Sequence, residues 1–70
     1  MQRQNVASSN LRSVGYEPLS STLEIEFNSG SIYQYFGVPS AIYHSLLSAG
    51  SKGGYFARVI KNSYRFIQVR

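Results

Sequence analysis

The stretch Ser51-Lys52-Gly53-Gly54 is the part of the sequence whose residue types best suit the binding of an anion. Glycines let backbone N–H groups approach a phosphate, the N-terminus of a following helix adds partial positive charge, and Lys52 supplies a mobile cation. The P-loop spacing, Gly-x4-Gly-Lys-Ser/Thr, is missing, so the stretch does not indicate a nucleoside triphosphatase. The competing interpretation is a plain turn whose glycines end one helix and begin the next.

Further basic and aromatic residues could complete such a site. Arg58, Lys61 and Arg65 are close enough in sequence to form one basic patch with Lys52, although a solvated face explains them as well. Tyrosines on a sheet face can stack bases, as they do in proteins that bind single strands, but they can equally pack in a core. The predicted ligand-binding residues are Ser51, Lys52, Gly53, Gly54, Arg58, Arg65, Tyr33 and Tyr35.

Residues for catalysis and for metal binding are scarce. The chain has no cysteine, no aspartate and a single histidine, His44, so one chain cannot assemble a Ser-His-Asp or Cys-His-Asp triad, and metal ligands are too few. Glu24 and Glu26 share one face of a predicted strand, where the solvated outer side of a sheet explains them. The alternatives are a pair that divides acid and base roles, or one that binds a ligand amine or a partner's arginine. The sequence therefore predicts no catalytic residue, no metal site, no cofactor and no enzymatic activity.

The size and charge of the chain narrow the range of partners. Seventy residues with 43% hydrophobic content make one small domain, which lacks disulfides and could gain burial by forming a homodimer or a higher oligomer. A net charge of +4 favours anionic partners. No apolar run of membrane-spanning length and no secretory signal are present, so we expect a cytoplasmic protein without a membrane partner.

The run Leu23–Phe36 predicts a β-hairpin around Asn28-Ser29-Gly30. A two-residue loop would require a left-handed conformation at Ser29, whereas a three-residue loop requires it only at Gly30, where glycine adopts it at little cost. We therefore choose the second register, which pairs Ile25 with Tyr33 and Leu23 with Tyr35. It places the apolar side chains on one face and the two glutamates on the other.

The remaining elements follow from periodicity and from turn residues. Residues 1–9 are polar and are predicted to be disordered, and residues 10–70 form the single domain. A first strand before Pro18, the hairpin and a closing strand from Tyr64 to Arg70 give a small antiparallel sheet: a three-stranded meander plus a C-terminal edge strand. Two short helices, within 40–50 and 55–61, have one apolar stripe each. The predicted fold class is α+β.

The order of these pieces resembles the KTSC domain family, which is named for a domain at the C-terminus of some lysyl-tRNA synthetases and also occurs as stand-alone bacterial and phage-type proteins. The resemblance covers roughly residues 9–70, and no single motif carries it. The matching residues are Gly15-Tyr16, Leu23, Ile25, Phe27, Ser29-Gly30, Tyr33-Gln34-Tyr35, Val38-Pro39, Ser51-Lys52-Gly53, Tyr55-Phe56, Ile60 and Tyr64. It implies no catalytic residues, and the synthetase context implies RNA binding.

Three functions fit these observations. The first is a non-catalytic oligomer that captures a small phosphorylated nucleotide, with Lys52 and the amides of Gly53 and Gly54 at the phosphate and a tyrosine against the base. The second is RNA binding, which the family context implies. The third is a protein-interaction adaptor that uses the edge of the last strand.

Overall fold

The computed structural model describes residues 1–70. Its five strands form one antiparallel sheet in the order β1-β2-β3-β4-β5. Two helical segments connect β4 to β5, so the α+β prediction is confirmed, with one strand more than predicted at the N-terminal edge. No helix of the structure has the length and apolar character needed to cross a membrane. The elements are β1 (Gln4–Asn5), β2 (Leu11–Glu17), β3 (Thr22–Phe27), β4 (Ile32–Tyr35), α1 (Ser40–Ser48), α2 (Lys52–Tyr55) with a π-helical continuation (Phe56–Ile60), and β5 (Phe66–Gln68).

The β3–β4 hairpin has the predicted three-residue turn. Gly30 adopts a left-handed conformation with φ of 97°. The Phe27 N–H donates to the Ser31 carbonyl at 2.9 Å, and Ile25 lies opposite Tyr33. Because side chains alternate along a strand, this register decides which residues of the hairpin face the helices.

The hydrophobic core lies between the sheet and the helices. Helix α1 contributes Leu46, its one buried residue, and the π-helical segment contributes Phe56 and Ile60. These two side chains are four positions apart, a spacing that keeps them on one side of a helix. The core consists of Leu11, Val14, Leu23, Ile25, Tyr35, Val38, Leu46, Phe56 and Ile60.

Helix α2 begins earlier than the sequence predicts. The sequence predicts a flexible link at Ser51–Gly54 and a helix from Tyr55, whereas the helix starts at Lys52. The Ser51 side chain caps it, because its hydroxyl oxygen accepts a hydrogen bond from the Gly54 N–H at 3.2 Å. The cap stabilises the first turn, so the two glycines lie inside the helix.

The N-terminal segment, which the sequence predicts to be disordered over residues 1–9, contributes a strand. Gln4 pairs with Val14 at the edge of the sheet. A Cβ atom on Gly15 would lie 2.3 Å from the Gln2 carbonyl oxygen, so glycine is required for the segment to approach β2 this closely. The contact joins residues far apart in sequence, and hydrophobic periodicity therefore gave no indication of it.

The face of the sheet turned away from the helices carries charged groups. Glu24 is 6% exposed and pairs with Arg3, and the Gln34 amide donates to its other oxygen at 2.7 Å. Glu26 accepts from the Arg70 guanidinium at 3.2 Å and from the Ser13 hydroxyl at 2.8 Å. The prediction that both glutamates face solvent is therefore wrong for Glu24, because side chains from the two ends of the chain fold over this face.

Candidate functional site: an aromatic groove

An open groove with a volume of about 630 Å³ lies on the helix side of the sheet. It runs between the hairpin turn, the π-helical segment and the start of β5. Residues 9–10 close one side of it, because the Asn28 side-chain amide donates to the Ser9 carbonyl at 2.8 Å and the Asn28 N–H donates to the Asn10 carbonyl at 2.9 Å. The volume falls within the range of pockets that hold small molecules.

Five aromatic rings form the floor of the groove. Tyr33 contacts the rings of Phe27 and Phe66, each with centroids 5.7 Å away. Tyr35 contacts Phe56 at 5.4 Å and Phe66 at 5.5 Å. These separations are typical of tilted and edge-to-face packing, in which each ring holds its neighbours in place. The floor is therefore a preorganised aromatic surface.

Exposure differs sharply along this floor. Tyr35 and Phe56 are buried, Phe27 and Tyr33 are half-buried, and Phe66 is 52% exposed. Burial, together with the neighbouring Tyr33, raises the pKa of Tyr35 to about 12. Tyr35 is thus a neutral wall of the groove at physiological pH, and the outer part of the floor, at Tyr33 and Phe66, is open to a ligand.

The rim of the groove is polar and carries one cation. Asn10, Lys61 and Asn62 line it and are exposed, so their amide and ammonium groups face solvent. Ser29 and Ser31 also line it, at the hairpin turn. Amides offer both donors and acceptors, and the ammonium group offers three donors. Such a rim can hydrogen-bond to a heterocycle and attract an anion.

Three of the eight predicted ligand-binding residues, Tyr33, Tyr35 and Gly53, line this groove. A Cβ atom on Gly53 would lie 3.1 Å from the side-chain nitrogen of Asn10, so the glycine allows the helix to approach the rim. The tyrosines and the glycine come from elements about twenty residues apart. The structure thus brings the two predicted tyrosines and the predicted glycine into one groove.

The other predicted residues of the Ser51–Gly54 stretch lie outside the groove lining. The Gly54 N–H is occupied by the Ser51 hydroxyl, and the Lys52 ammonium donates to the Ala49 carbonyl at 3.3 Å. Two of the three groups that the sequence assigned to a phosphate, the Lys52 ammonium and the Gly54 N–H, therefore stabilise the ends of α1 and α2. This geometry matches the plain-turn interpretation.

The two predicted arginines also lie apart from the groove. Arg58 lies over the first turn of α2, where a Cβ atom on Gly54 would be 3.2 Å from its guanidinium. Arg65 lines a shallow hollow that it shares with Asn62 and Phe66, next to the groove. Arg65 is thus one residue away from Phe66, the most exposed ring of the floor.

Sequence reasoning did not place several groove residues. Phe27 was assigned to the correct face of the hairpin, but the contact of its ring with Phe56 crosses between the sheet and the second helix at 5.4 Å. Asn10 and Asn62 are 52 positions apart, and neither belongs to a motif. The one available signal for Phe66 was the aromatic content of β5, which the sequence analysis interprets as strand propensity.

The sequence matches the model of the KTSC domain over residues 7–64. The chain belongs to the KTSC domain family. A KTSC domain protein from Yersinia pestis, known from a crystal structure, is 42% identical and superposes with a TM-score of 0.96, over 99% of this chain and 97% of that one. The sequence-based assignment to the family is therefore confirmed, and the likeness extends over the whole fold.

Relatives of two kinds share the domain. An uncharacterized protein from Stutzerimonas stutzeri is 43% identical over 70 residues, which are 99% of each chain. A lysine–tRNA ligase from Nostoc sp. is 44% identical over 59 residues, which are 84% of this chain but 10% of the ligase. The KTSC domain is thus found both in a chain of this length and as a tenth of a much longer enzyme.

Proposed function

We propose that this KTSC protein is a non-catalytic binding module whose aromatic groove holds a nucleotide. The observation that supports the proposal best is the combination of exposed aromatic surface at Tyr33 and Phe66 with a rim of amides and one ammonium group. A nucleobase has a π-face for the rings and polar edges for the amides. The rings of the floor would contact the face of the base, and the polar groups of the rim would contact the base edge and the phosphate.

The base stacks on the outer side of Phe66 in this proposal, since Tyr33 and Phe66 already contact each other and leave no gap for a ring between them. Asn62, which lines a hollow together with Phe66, then hydrogen-bonds to the base edge. Lys61 lies on the same rim and attracts the phosphate. This arrangement replaces Lys52 with Lys61 as the cation of the site, because Lys52 is directed to the Ala49 carbonyl.

An NMR titration of isotope-labelled protein with the four ribonucleoside monophosphates tests the proposal. We expect the side-chain amide signal of Asn62 to move with the bound fraction. Phe66→Leu keeps the apolar bulk and removes the π-face, and it should weaken binding about tenfold, since stacking contributes roughly 1–3 kcal/mol per base. If no nucleotide moves the Asn62 amide signal, the proposal is wrong.

Two lysines provide a matched comparison of charge. Lys61→Ala removes the cation at the rim and should weaken binding about threefold to tenfold, as expected for one exposed charge-assisted contact. Lys52→Ala removes the same charge from outside the groove and should leave binding within about twofold. Equal effects of the two substitutions would show that net charge, rather than the groove, attracts the ligand.

Single-stranded RNA is the second candidate ligand, and the named relatives favour it. The matching region of the Nostoc relative belongs to a lysine–tRNA ligase, a protein named for acting on an RNA. The groove is open along its length, so a strand could continue beyond the stacked base, past Arg65. RNA binding should weaken steeply with salt, with a slope of about −0.7 per phosphate contacted, whereas mononucleotide binding should change little.

A further inference from the structure

The two edge strands of the sheet differ in chemistry. The β1 edge has only two residues, Gln4 and Asn5, both polar. The β5 edge carries three large apolar side chains that are about half exposed: Phe66 (52%), Ile67 (49%) and Val69 (46%). Proteins usually shorten or charge an exposed edge to prevent pairing with another chain. Both edges are short, but the β1 edge is polar, whereas the β5 edge exposes apolar side chains.

The register of β4 with β5 shows which backbone groups are free. Antiparallel ladders alternate hydrogen-bonded and non-hydrogen-bonded pairs. The Phe36 N–H donates to the Arg65 carbonyl at 2.9 Å, and the Val69 N–H donates to the Ile32 carbonyl at 2.7 Å. Arg65, Ile67 and Val69 therefore bond inward to β4. The N–H and C=O groups of Phe66 and Gln68 point away from the sheet, towards solvent.

We propose that the β5 edge is the docking surface for a second copy of this chain. Two β5 strands pair antiparallel about a two-fold axis at Ile67, and the sheets join into one continuous sheet of ten strands. Phe66 of each copy exchanges backbone hydrogen bonds with Gln68 of the other. The pairing closes on itself, because the same strand serves on both sides, so a dimer forms rather than a filament.

The side chains fit this register. Ile67 faces its own copy across the axis in a non-hydrogen-bonded pair, where side chains are closest. Arg65 faces Val69 of the other copy, so its aliphatic stem covers an apolar neighbour. The two Arg65 residues are four positions apart along the seam, about 13 Å at 3.3 Å per residue. That separation exceeds the Debye length of about 8 Å at physiological salt, so the repulsion between them is weak.

The dimer also changes the aromatic groove. Phe66 and Gln68 lie on the helix side of the sheet, since Phe66 packs on Tyr35 and the Tyr33 hydroxyl donates to Gln68. Opposite Phe66 the second copy places its own Gln68, an additional amide beside the most exposed ring of the floor. The interface is small, so we expect reversible association at the weak end of the specific interfaces.

Sedimentation equilibrium measures the association. The chain should approach twice its 7.8 kDa mass when its concentration is raised to about 100 μM. Ile67→Arg places like charges opposite each other at the axis and should weaken dimerisation at least tenfold. Leu19→Arg is the matched control, because Leu19 is 97% exposed on the β2–β3 turn. This variant should dimerise like the natural chain. Circular dichroism confirms that both variants fold.

Cross-linking tests the register. Non-hydrogen-bonded antiparallel partners have Cα atoms about 4.5 Å apart, within the range that a disulfide spans, and the natural chain has no cysteine. Ile67→Cys should therefore give a covalent dimer under mild oxidation, whereas Val69→Cys and Leu19→Cys should cross-link at least tenfold more slowly. A natural chain that stays at 7.8 kDa, or a dimer that Ile67→Arg leaves intact, would overturn the proposal.

Discussion

The two faces of the sheet bury the side chains of β3 with different chemistry. On the helix side, Ile25 and Leu23 are fully buried among apolar side chains. On the other side, Glu24, which lies between them in sequence, is buried to nearly the same degree by Arg3 and Gln34. Neighbouring residues of one strand are thus buried by hydrophobic packing on one face and by paired charges on the other.

The two faces therefore differ in how precisely their side chains must be placed and in how much of the surface can stay open to a ligand. Apolar burial on the helix face is roughly proportional to area and tolerates small shifts. The ion pairs on the opposite face require their partners in place, because a buried charge without a partner is destabilising. The helix face can therefore leave part of its aromatic surface open as a groove, whereas the charged face needs Arg3 and Arg70 to lie over it.

The largest expected effect lies on the helix face. Leu46→Ala removes the buried side chain of α1 and should lower the free energy of unfolding by about 2–5 kcal/mol, much of the stability of a domain this small. Urea unfolding followed by circular dichroism measures it. Leu19→Ala, at an exposed position, should change stability by less than about 0.5 kcal/mol. A loss below about 1 kcal/mol for Leu46→Ala would contradict the assignment of the core.

The charged face should contribute less. Arg3→Ala leaves the Glu24 carboxylate without its cation and should lower the free energy of unfolding by about 1–3 kcal/mol, since water reaches part of the Arg3 side chain. Adding Glu24→Gln to that variant should restore part of the loss, because it removes the unpaired charge. Arg12→Ala changes an exposed arginine on the next strand and serves as the control. Equal unfolding midpoints for Arg3→Ala and Arg12→Ala would refute a stabilising role of this face.

The turn that assigns residues to the two faces is tested by Gly30→Ala. The φ of 97° at this position is unfavourable for a residue with a Cβ atom, so we expect a loss of about 1 kcal/mol in chemical unfolding. Gly50→Ala is the matched control, since Gly50 has open space around it and no left-handed φ. The groove should survive, because the burial of Leu23 and Ile25 still selects the same register.

Alkaline pH probes the helix face. The pKa of Tyr35 is raised to about 12 by burial, so the folded state holds this proton more tightly than the unfolded state does. The stabilisation is complete below the ordinary pKa of about 10 and is lost as the pH rises from there towards 12. Tyr35→Phe should flatten this part of the stability profile. A profile identical to that of the natural chain would show that Tyr35 ionises freely.

Acidic pH probes the charged face and gives the smallest effect. Burial alone would raise the pKa of Glu24, but hydrogen bonds from Gln34 and Arg3 outweigh it and hold the pKa below its usual value of 4.5. The folded state thus binds this proton less tightly than the unfolded state, and stability falls as the pH drops through that range. Glu24→Gln should make the acid limb shallower, measured by urea unfolding at successive pH values. If the variant keeps the full slope, the loss of stability at acidic pH comes from other carboxylates.

Local sequence predicted the fold where neighbouring residues determine the structure. The three-residue turn at Gly30 and the pairing of Ile25 with Tyr33 follow from glycine conformation and from alternation, and both are confirmed. The start of α2 was predicted too late, because a Ser51 cap makes two glycines acceptable in a first turn. The groove was predicted only through Tyr33, Tyr35 and Gly53, since its other residues meet through tertiary contacts.

The amino-acid sequence alone determined the α+β class and the hairpin register, because turn chemistry and periodicity act over a few residues. The KTSC family was found in the sequence from the resemblance of an ordered set of residues. The tertiary structure decided which cation lies beside the aromatic rings and which groups cover the second face of the sheet. Lys61, rather than Lys52, reaches the groove, and Arg3 buries Glu24 from a distance of 21 positions. Such contacts depend on packing between distant segments, which no local pattern encodes.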